Sequence, residues 1–302
     1  MSYLIRRLGH GILELFGVSI LAFALLELAP GDYLDDLKAS PEISTAAINR
    51  WREDFGLNES PVTRYLRWSA SVLRGDFGQS MAYGMPVSRL LWHRAGNTIL
   101  LSCSALTISW CFAVPLGILC SARPRGWIDR LTGGAASTLL SLPDLLGGLI
   151  VLAVSVYWNL GAISGKLLPA ALALAALSFP PVFRHTRTGM RQVLAMQFIE
   201  QLRACGVSET RILWHHALPV AANPLITLLG LSLAGLTSAS LIIEVTLSWP
   251  GLGPLLLESI LARDVAVVLA AILLSSLLLI LGNLTADLLL FALDPRIRKE
   301  GR

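Results

Sequence analysis

The chain has 302 residues, of which 54% are hydrophobic and 15% charged, and its mean hydropathy is +0.65. A soluble domain of this length has too little interior to hide so much apolar surface, so the composition excludes a water-soluble globule and points to an integral membrane protein built of helical spans. The formal charge of +4 is no nucleic-acid signal, because membrane topology accounts for where the cations fall.

Arg6 and Arg7 precede the first apolar run, Gly9 to Ala29. That run is long and is followed by APGD rather than a small-x-small cleavage site, so it reads as a retained span and not a signal peptide. The polar stretch Pro30–Asn97 holds two helical patterns. PEISTAAINRWREDFGL starts at Ser40-Pro41 and stops at Gly56, and SPVTRYLRWSASVLRGDFG has Pro61 near its start and Gly75 at its end. Together they predict a small helical cap on the outer face. Five further apolar segments follow: Thr98–Ser121, Leu131–Trp158, Leu167–Phe183, Ala217–Ile243 and Val265–Leu293. Each reaches or approaches the roughly 20 residues that cross a bilayer. The chain is thus expected to be one all-α, polytopic domain. A first span (1–29) leads to an outer helical segment (30–97), a five-span core (98–293) and a tail (294–302).

Pro115, Pro143 with Gly147 and Gly148, and the Pro180-Pro181 pair interrupt the spans. Lipid tolerates such breaks only where neighbouring helices or a water-lined cavity satisfy the freed backbone groups, so a bundle with an internal path is expected. With the N-terminus in the cytoplasm, 14 of the 24 Lys and Arg residues lie inside, and the two short outer loops hold only Lys166 and Arg263. This asymmetry places both termini in the cytoplasm. Cys103, Cys111, Cys120 and Cys205 lack metal-site spacing and read as buried small hydrophobes.

Between the fourth and fifth spans stands EQLRACGVSETRILWHHALP, Glu200 to Pro219. Leu194, Phe198, Leu202 and Cys205 recur at three- and four-residue spacing, which predicts an amphipathic helix from Met190 to Cys205, within a loop spanning 190–216. Gly206 suits the left-handed position after that helix, and Ser208 can cap the next. The rhythm is that of a helix-turn-helix, but a DNA-binding module needs its own packed domain, and membrane spans close in on both sides. GAISGKLL is no phosphate loop: three residues, not four, separate Gly161 from Gly165, and Leu167 follows Lys166. No H-E-x-x-H motif and no Ser-centred glycine motif occurs within a span. His215 and His216 point about 100° apart on a helix and make a poor metal pair. Asp144 lies within the third span, where an acidic residue is costly. It either lines a path or caps the helix that restarts after Pro143.

Four further motifs stand in order. These are RRLGHGILELFGVSILAFALLELAPGD, RYLRWSASVLRGDFGQS followed by PV, SWPGLGPLLLESILARD and ALDPRIR. With the Glu200–Pro219 loop, they resemble the peptide/nickel branch of ABC importer permeases, the dipeptide and oligopeptide B-type subunits, over nearly the whole chain. Family members carry a cytoplasmic E-A-A-x3-G-x9-I-x-L-P loop that docks on an ATPase, and Glu200, Gly206, Leu218 and Pro219 stand at matching places. The departures are Gln201 and Leu202 for the two alanines, Cys205 for a frequent Lys, and His216 for Ile. Glu27 stands for a common Arg and Tyr33 for a common Pro near the APGD turn.

The resemblance implies a permease in the bacterial cytoplasmic (inner) membrane that does no chemistry and needs no cofactor or metal. Its expected partners are a second homologous permease, two ABC ATPase subunits, an extracytoplasmic solute-binding protein and the lipid bilayer, with no nucleic acid. Glu200, Arg203, Ala204, Gly206, Leu218 and Pro219 are the implied ATPase-coupling residues. Asp144, Glu244, Trp249, Pro250 and Gly251 are candidates for the translocation path and gate. The rival class, an ion-driven secondary transporter, needs inverted repeats or a charge relay. No half-to-half symmetry is visible, and charges within the spans are sparse.

Overall fold

The computed structural model describes residues 2–28, 50, 59–157 and 165–293. The first cap helix, the APGD turn, the end of the third span and the C-terminal tail lie outside the described residues. The elements are α1 (Ser2–Leu28), α2 (Pro61–Val72), α3 (Val87–Ala122), α4 (Trp127–Leu140), α5 (Asp144–Tyr157), α6 (Leu167–Leu194), α7 (Gln197–Ala204) and α8 (Glu209–Arg211). A π-helical turn (Ile212–Ala217) leads to α9 (Leu218–Thr246), α10 (Leu252–Leu261) and α11 (Val265–Leu293). Among the described residues the only β pairing is one isolated bridge, Gln79 to Pro86. By length and composition five helices can cross a membrane, or six when α4 and α5 count as one broken span.

Three spans differ from the sequence expectation. The third is not one rod: α4 and α5 meet at 111°. Pro143 lacks an amide hydrogen and disfavours the α region for the residue before it, and here the helix stops and restarts. The second span starts at Val87, well before Thr98, because Val87, Leu91, Ala95 and Thr98 form one buried stripe. Polar neighbours (Arg89 and His93 on the opposite face, Arg94 flanking the stripe) hide it from a hydropathy reading. The fourth continues through Pro180-Pro181 and past Phe183 to Leu194. Among the cysteines only Cys120 is buried, and all four are free thiols, so the buried reading fails for Cys103, Cys111 and Cys205.

The chain forms two compact units, one of residues 98–249 and 278–302 with the first four residues, the other of residues 5–97 and 250–277. In the first, α6 packs on α4, α5 and α9, and α5 packs on α9. Leu101, Leu174, Leu236 and Ile243 make its core with the alanines Ala170, Ala171, Ala173 and Ala175. Small residues let membrane helices approach closely, and dispersion contacts then hold them. Gly147 on α5 shows how close: a β-carbon there would stand 2.8 Å from the Leu177 side chain on α6.

In the second unit α2 begins as expected. Ser60 accepts the Thr63 amide (3.3 Å), and Pro61 opens the helix. Gly75, at φ +81°, ends it. Tyr65 of α2 meets Phe23 of α1 edge-on at 5.4 Å, and Arg64 pairs with Glu27 at 3.0 Å. The buried Asp264 accepts the Ser80 hydroxyl (2.6 Å) and the Ala82 amide (3.0 Å), tying the loop before α3 to the start of α11. Tyr83 donates to Glu258 (2.6 Å), and burial, then that hydrogen bond, push its phenol up to about 12.

Candidate functional site

The predicted Met190–Cys205 helix is divided between the end of α6 and α7. Met190 to Cys205 does not run as a single helix, because Met196 takes an extended conformation and starts α7 afresh. The break turns Ile199, rather than Cys205, inward. Ile199 is wholly buried in a cluster with Ile118, Met190, Val193, Ile212 and Leu213, and Leu194, Phe198 and Leu202 pack against it. Burying such a side chain is worth about 2 kcal/mol.

The turn after α7 is set by hydrogen bonds. The Val207 amide donates to the Leu202 carbonyl (3.1 Å) and the Gly206 amide to the Arg203 carbonyl (3.0 Å). Gly206 stands at φ +79° between them. This is a Schellman cap, in which a left-handed residue lets two late carbonyls find donors. Val207 and Leu202 pack against the same cluster, which supplies the apolar contact that accompanies the motif. Ser208 holds the N-cap position of α8, but its hydroxyl makes no capping bond.

Above this apolar floor the polar side chains face outward. Glu200, Arg203, Ala204, Gly206 and Pro219 are exposed, while Leu218 is half-buried in the floor. Arg203 pairs with Glu209 at 2.7 Å. That bond holds the Glu209 carboxyl below the usual carboxylate range and pushes the Arg203 guanidinium up, so both stay charged. The π-helical turn then buries Ile212, Leu213 and Ala217 while leaving Trp214 and His215 outside.

Next to this loop lies an ion cluster that sequence reasoning missed. Asp129, only 4% exposed, meets Arg187 at 2.7 Å and Arg191 at 2.9 Å. It also accepts the Arg125 amide at 2.9 Å. The expected fourth span, Leu167–Phe183, leaves Arg187 and Arg191 in the connection after it. Because α6 runs on to Leu194 they stand four residues apart on one helix face, and that spacing was the available signal for a buried carboxylate opposite.

Asp144 is the first residue of α5, where the helix dipole favours a negative charge. Among the described residues its carboxylate takes no hydrogen bond, so it is not a side-chain cap. It is the charged group in the lining of a cavity of about 250 Å³, whose other walls include Leu174, Leu177 and Pro181 of α6 and Leu228, Ser232 and Leu236 of α9. The gate candidates are Glu244, Trp249, Pro250 and Gly251. Glu244 is fully buried, and its carbonyl accepts the Trp249 amide at 2.8 Å across a turn with Ser248 at φ +54°. The Pro250 carbonyl accepts Asn97 at 2.8 Å, and Gly251 precedes α10. None of these four lines the Asp144 cavity.

Comparison with known proteins places this geometry. Residues 113–299, which include the whole Glu200–Pro219 loop, match the family described as "Binding-protein-dependent transport system inner membrane component". The chain is similar to the oligopeptide transport system permease protein AppB of Bacillus subtilis, with 34% identity over 98% of this chain and 99% of that one. It is also similar to the nickel import system permease protein NikB of Staphylococcus aureus, with 32% identity over 98% of this chain and 92% of that one. In fold it resembles a chain of the MetNI methionine ABC transporter in an inward-facing crystal form. That match has a TM-score of 0.60 at 18% identity and covers 68% of this chain and 96% of that one. The chain therefore belongs to the inner membrane components of binding-protein-dependent transport systems, as a permease subunit of an ABC importer.

Proposed function

We propose that this permease forms half of a translocation path for peptides or for nickel or another small solute. On this reading a second related permease completes the path, two ATPase subunits bind the Glu200–Pro219 loop, and a solute-binding protein delivers cargo at the outer face. The names of the relatives, one an oligopeptide and the other a nickel permease, support the cargo classes. The coupling loop carries the reading: a rigid apolar floor under exposed Glu200 and Arg203, turned by Gly206 at φ +79°. ATP-driven closure of the ATPase pair moves the docked loops as rigid bodies, and the spans alternate between inward and outward opening. In proteoliposomes holding all partners, uptake should require both ATP and the ATPase subunits. Uptake that persists without them would overturn the reading and favour an ion-driven carrier.

The membrane is the bacterial cytoplasmic one, with both termini inside. Single cysteines at the exposed Lys166 and Arg263 should react with an impermeant thiol reagent from outside intact cells, and one at Arg125 should not. Labelling at Arg125 alone would invert the topology.

Asp144 gives its cavity a preference for a cationic part of the cargo. An ionised carboxylate among apolar side chains requires water or a counter-charge, and cargo can supply the latter. Asp144→Asn keeps the shape and removes the charge, so it should lower the uptake rate about tenfold, the effect of losing about 1.4 kcal/mol, with assembly unchanged. Wild-type uptake would limit Asp144 to its place at the start of α5.

A further inference from the structure

The α2 helix has two unlike sides. Arg64, Arg67, Trp68 and Ser71 line a cavity of about 450 Å³ that also touches Asp76 and Gln79. On the other side Val62, Leu66 and Leu73 are 68%, 60% and 89% exposed. At 100° per residue these three lie within about 40° of one another and roughly 170° from the centre of the cavity side. Tyr65 and Trp68 belong to the contact with α1 and α11, so the Val62–Leu66–Leu73 stripe is a second apolar face, exposed and with none of the described residues packed on it.

Depth identifies what covers it. α2 touches α1 at Ser19 (2.8 Å from the Tyr65 hydroxyl), at Phe23 and at Glu27. These positions fall within about 14 Å of the end of α1 at 1.5 Å per residue, inside the candidate span Arg6–Leu28. The helix is therefore held within one half of a hydrocarbon layer about 30 Å thick, not above it. On the side of α1 turned away from α2, Leu21, Leu25 and Leu28 are exposed at 64%, 69% and 81%, so α1 presents an open apolar face at the same depth. Exposed Arg67 and Arg74, beside Glu59 and Asp76, mark the watery side.

We infer that α2 is an interfacial helix, whose Val62–Leu66–Leu73 stripe is immersed in the acyl chains of the leaflet at the C-terminal end of α1. The apolar face supplies the membrane affinity and the arginines set the level, as in helices that lie in the bilayer plane. The inference rests on the membrane fold alone and is independent of how the ATPase docks.

The test uses the full transporter in phospholipid nanodiscs. Nitroxide labels are placed singly by Leu66→Cys, Leu73→Cys and Arg67→Cys in a chain whose four native cysteines are replaced. Val62→Cys repeats the measurement one turn away, and co-purification with the partner subunits confirms assembly. Labels at Leu66 and Leu73 should relax with oxygen and lose all sensitivity to the water-soluble chromium oxalate, while the label at Arg67 should show the reverse. Chromium oxalate reaching Leu66 and Leu73 as readily as Arg67 would overturn the proposal, placing the stripe in water. Shielding from both reagents would overturn it too, placing a protein partner on the stripe.

Discussion

Gly206→Val should give a permease that inserts and pairs normally but sheds the ATPase on purification, or keeps it with hydrolysis uncoupled from transport. A β-carbon at Gly206 would meet nothing within 4 Å, so the cost is conformational and not steric. The left-handed conformation costs an L-residue about 1–2 kcal/mol, and a β-branched one more. The cap has an alternative that avoids this cost: α7 can unwind at its end and swing away from its apolar floor. A graded series follows, in which Gly206→Asn retains most ATPase, Gly206→Ala less and Gly206→Val least, because Asn tolerates this region best. Glu200→Arg should act by a different route, reversing charge on the exposed face while leaving the turn intact. ATPase binding and transport at wild-type levels in both Gly206→Val and Glu200→Arg would remove the loop from the docking surface.

Asp129→Ala should be strongly destabilising. It leaves Arg187 and Arg191 facing each other without their carboxylate, and breaking a buried pair costs about 3–5 kcal/mol. The two guanidinium side chains are 25% and 35% exposed, which puts the expected loss near the lower end, at about 3 kcal/mol. The Arg64–Glu27 pair makes the internal control, because partly exposed pairs contribute roughly 0–1 kcal/mol. Thermal scans of the detergent-solubilised permease should show a large loss for Asp129→Ala and a small one for Glu27→Ala. Equal melting of Asp129→Ala and wild type would show that the ion cluster carries no stability.

The existence of the spans and the turn at Gly206 were legible because each rests on a local rule. Gly206 sits where a left-handed cap was expected, and Ser60, Pro61 and Gly75 bound α2 as their residue types demand. The misses were non-local. Val87 belongs to the second span because of what α3 buries, and its charged neighbours mask that in any window average. The break at Met196 is decided by the pocket that receives Ile199, which exists only once α3, α6 and the π-helical turn have met. Asp129 lies far from Arg187 and Arg191 in sequence, and only an α6 that continues past Phe183 brings the three together. The gate candidates near Trp249 were placed by likeness to a family, and none of them lines the Asp144 cavity.

The prolines within α6 have a mechanical consequence. Pro180 and Pro181 bring no amide hydrogens, so the carbonyls of Ala176 and Leu177 lose their donors one turn on. Much of the bending stiffness of a helix resides in those bonds, which makes this the most compliant point of the rod. On one side lie Leu174 and Leu177, walls of the Asp144 cavity; on the other lie Arg187 and Arg191, bound to Asp129 shortly before the Glu200–Pro219 loop. A uniform rod pushed at one end would slide. A rod with a compliant joint tilts instead, so a small push at the Arg187–Leu194 arm becomes a change of angle at the cavity wall.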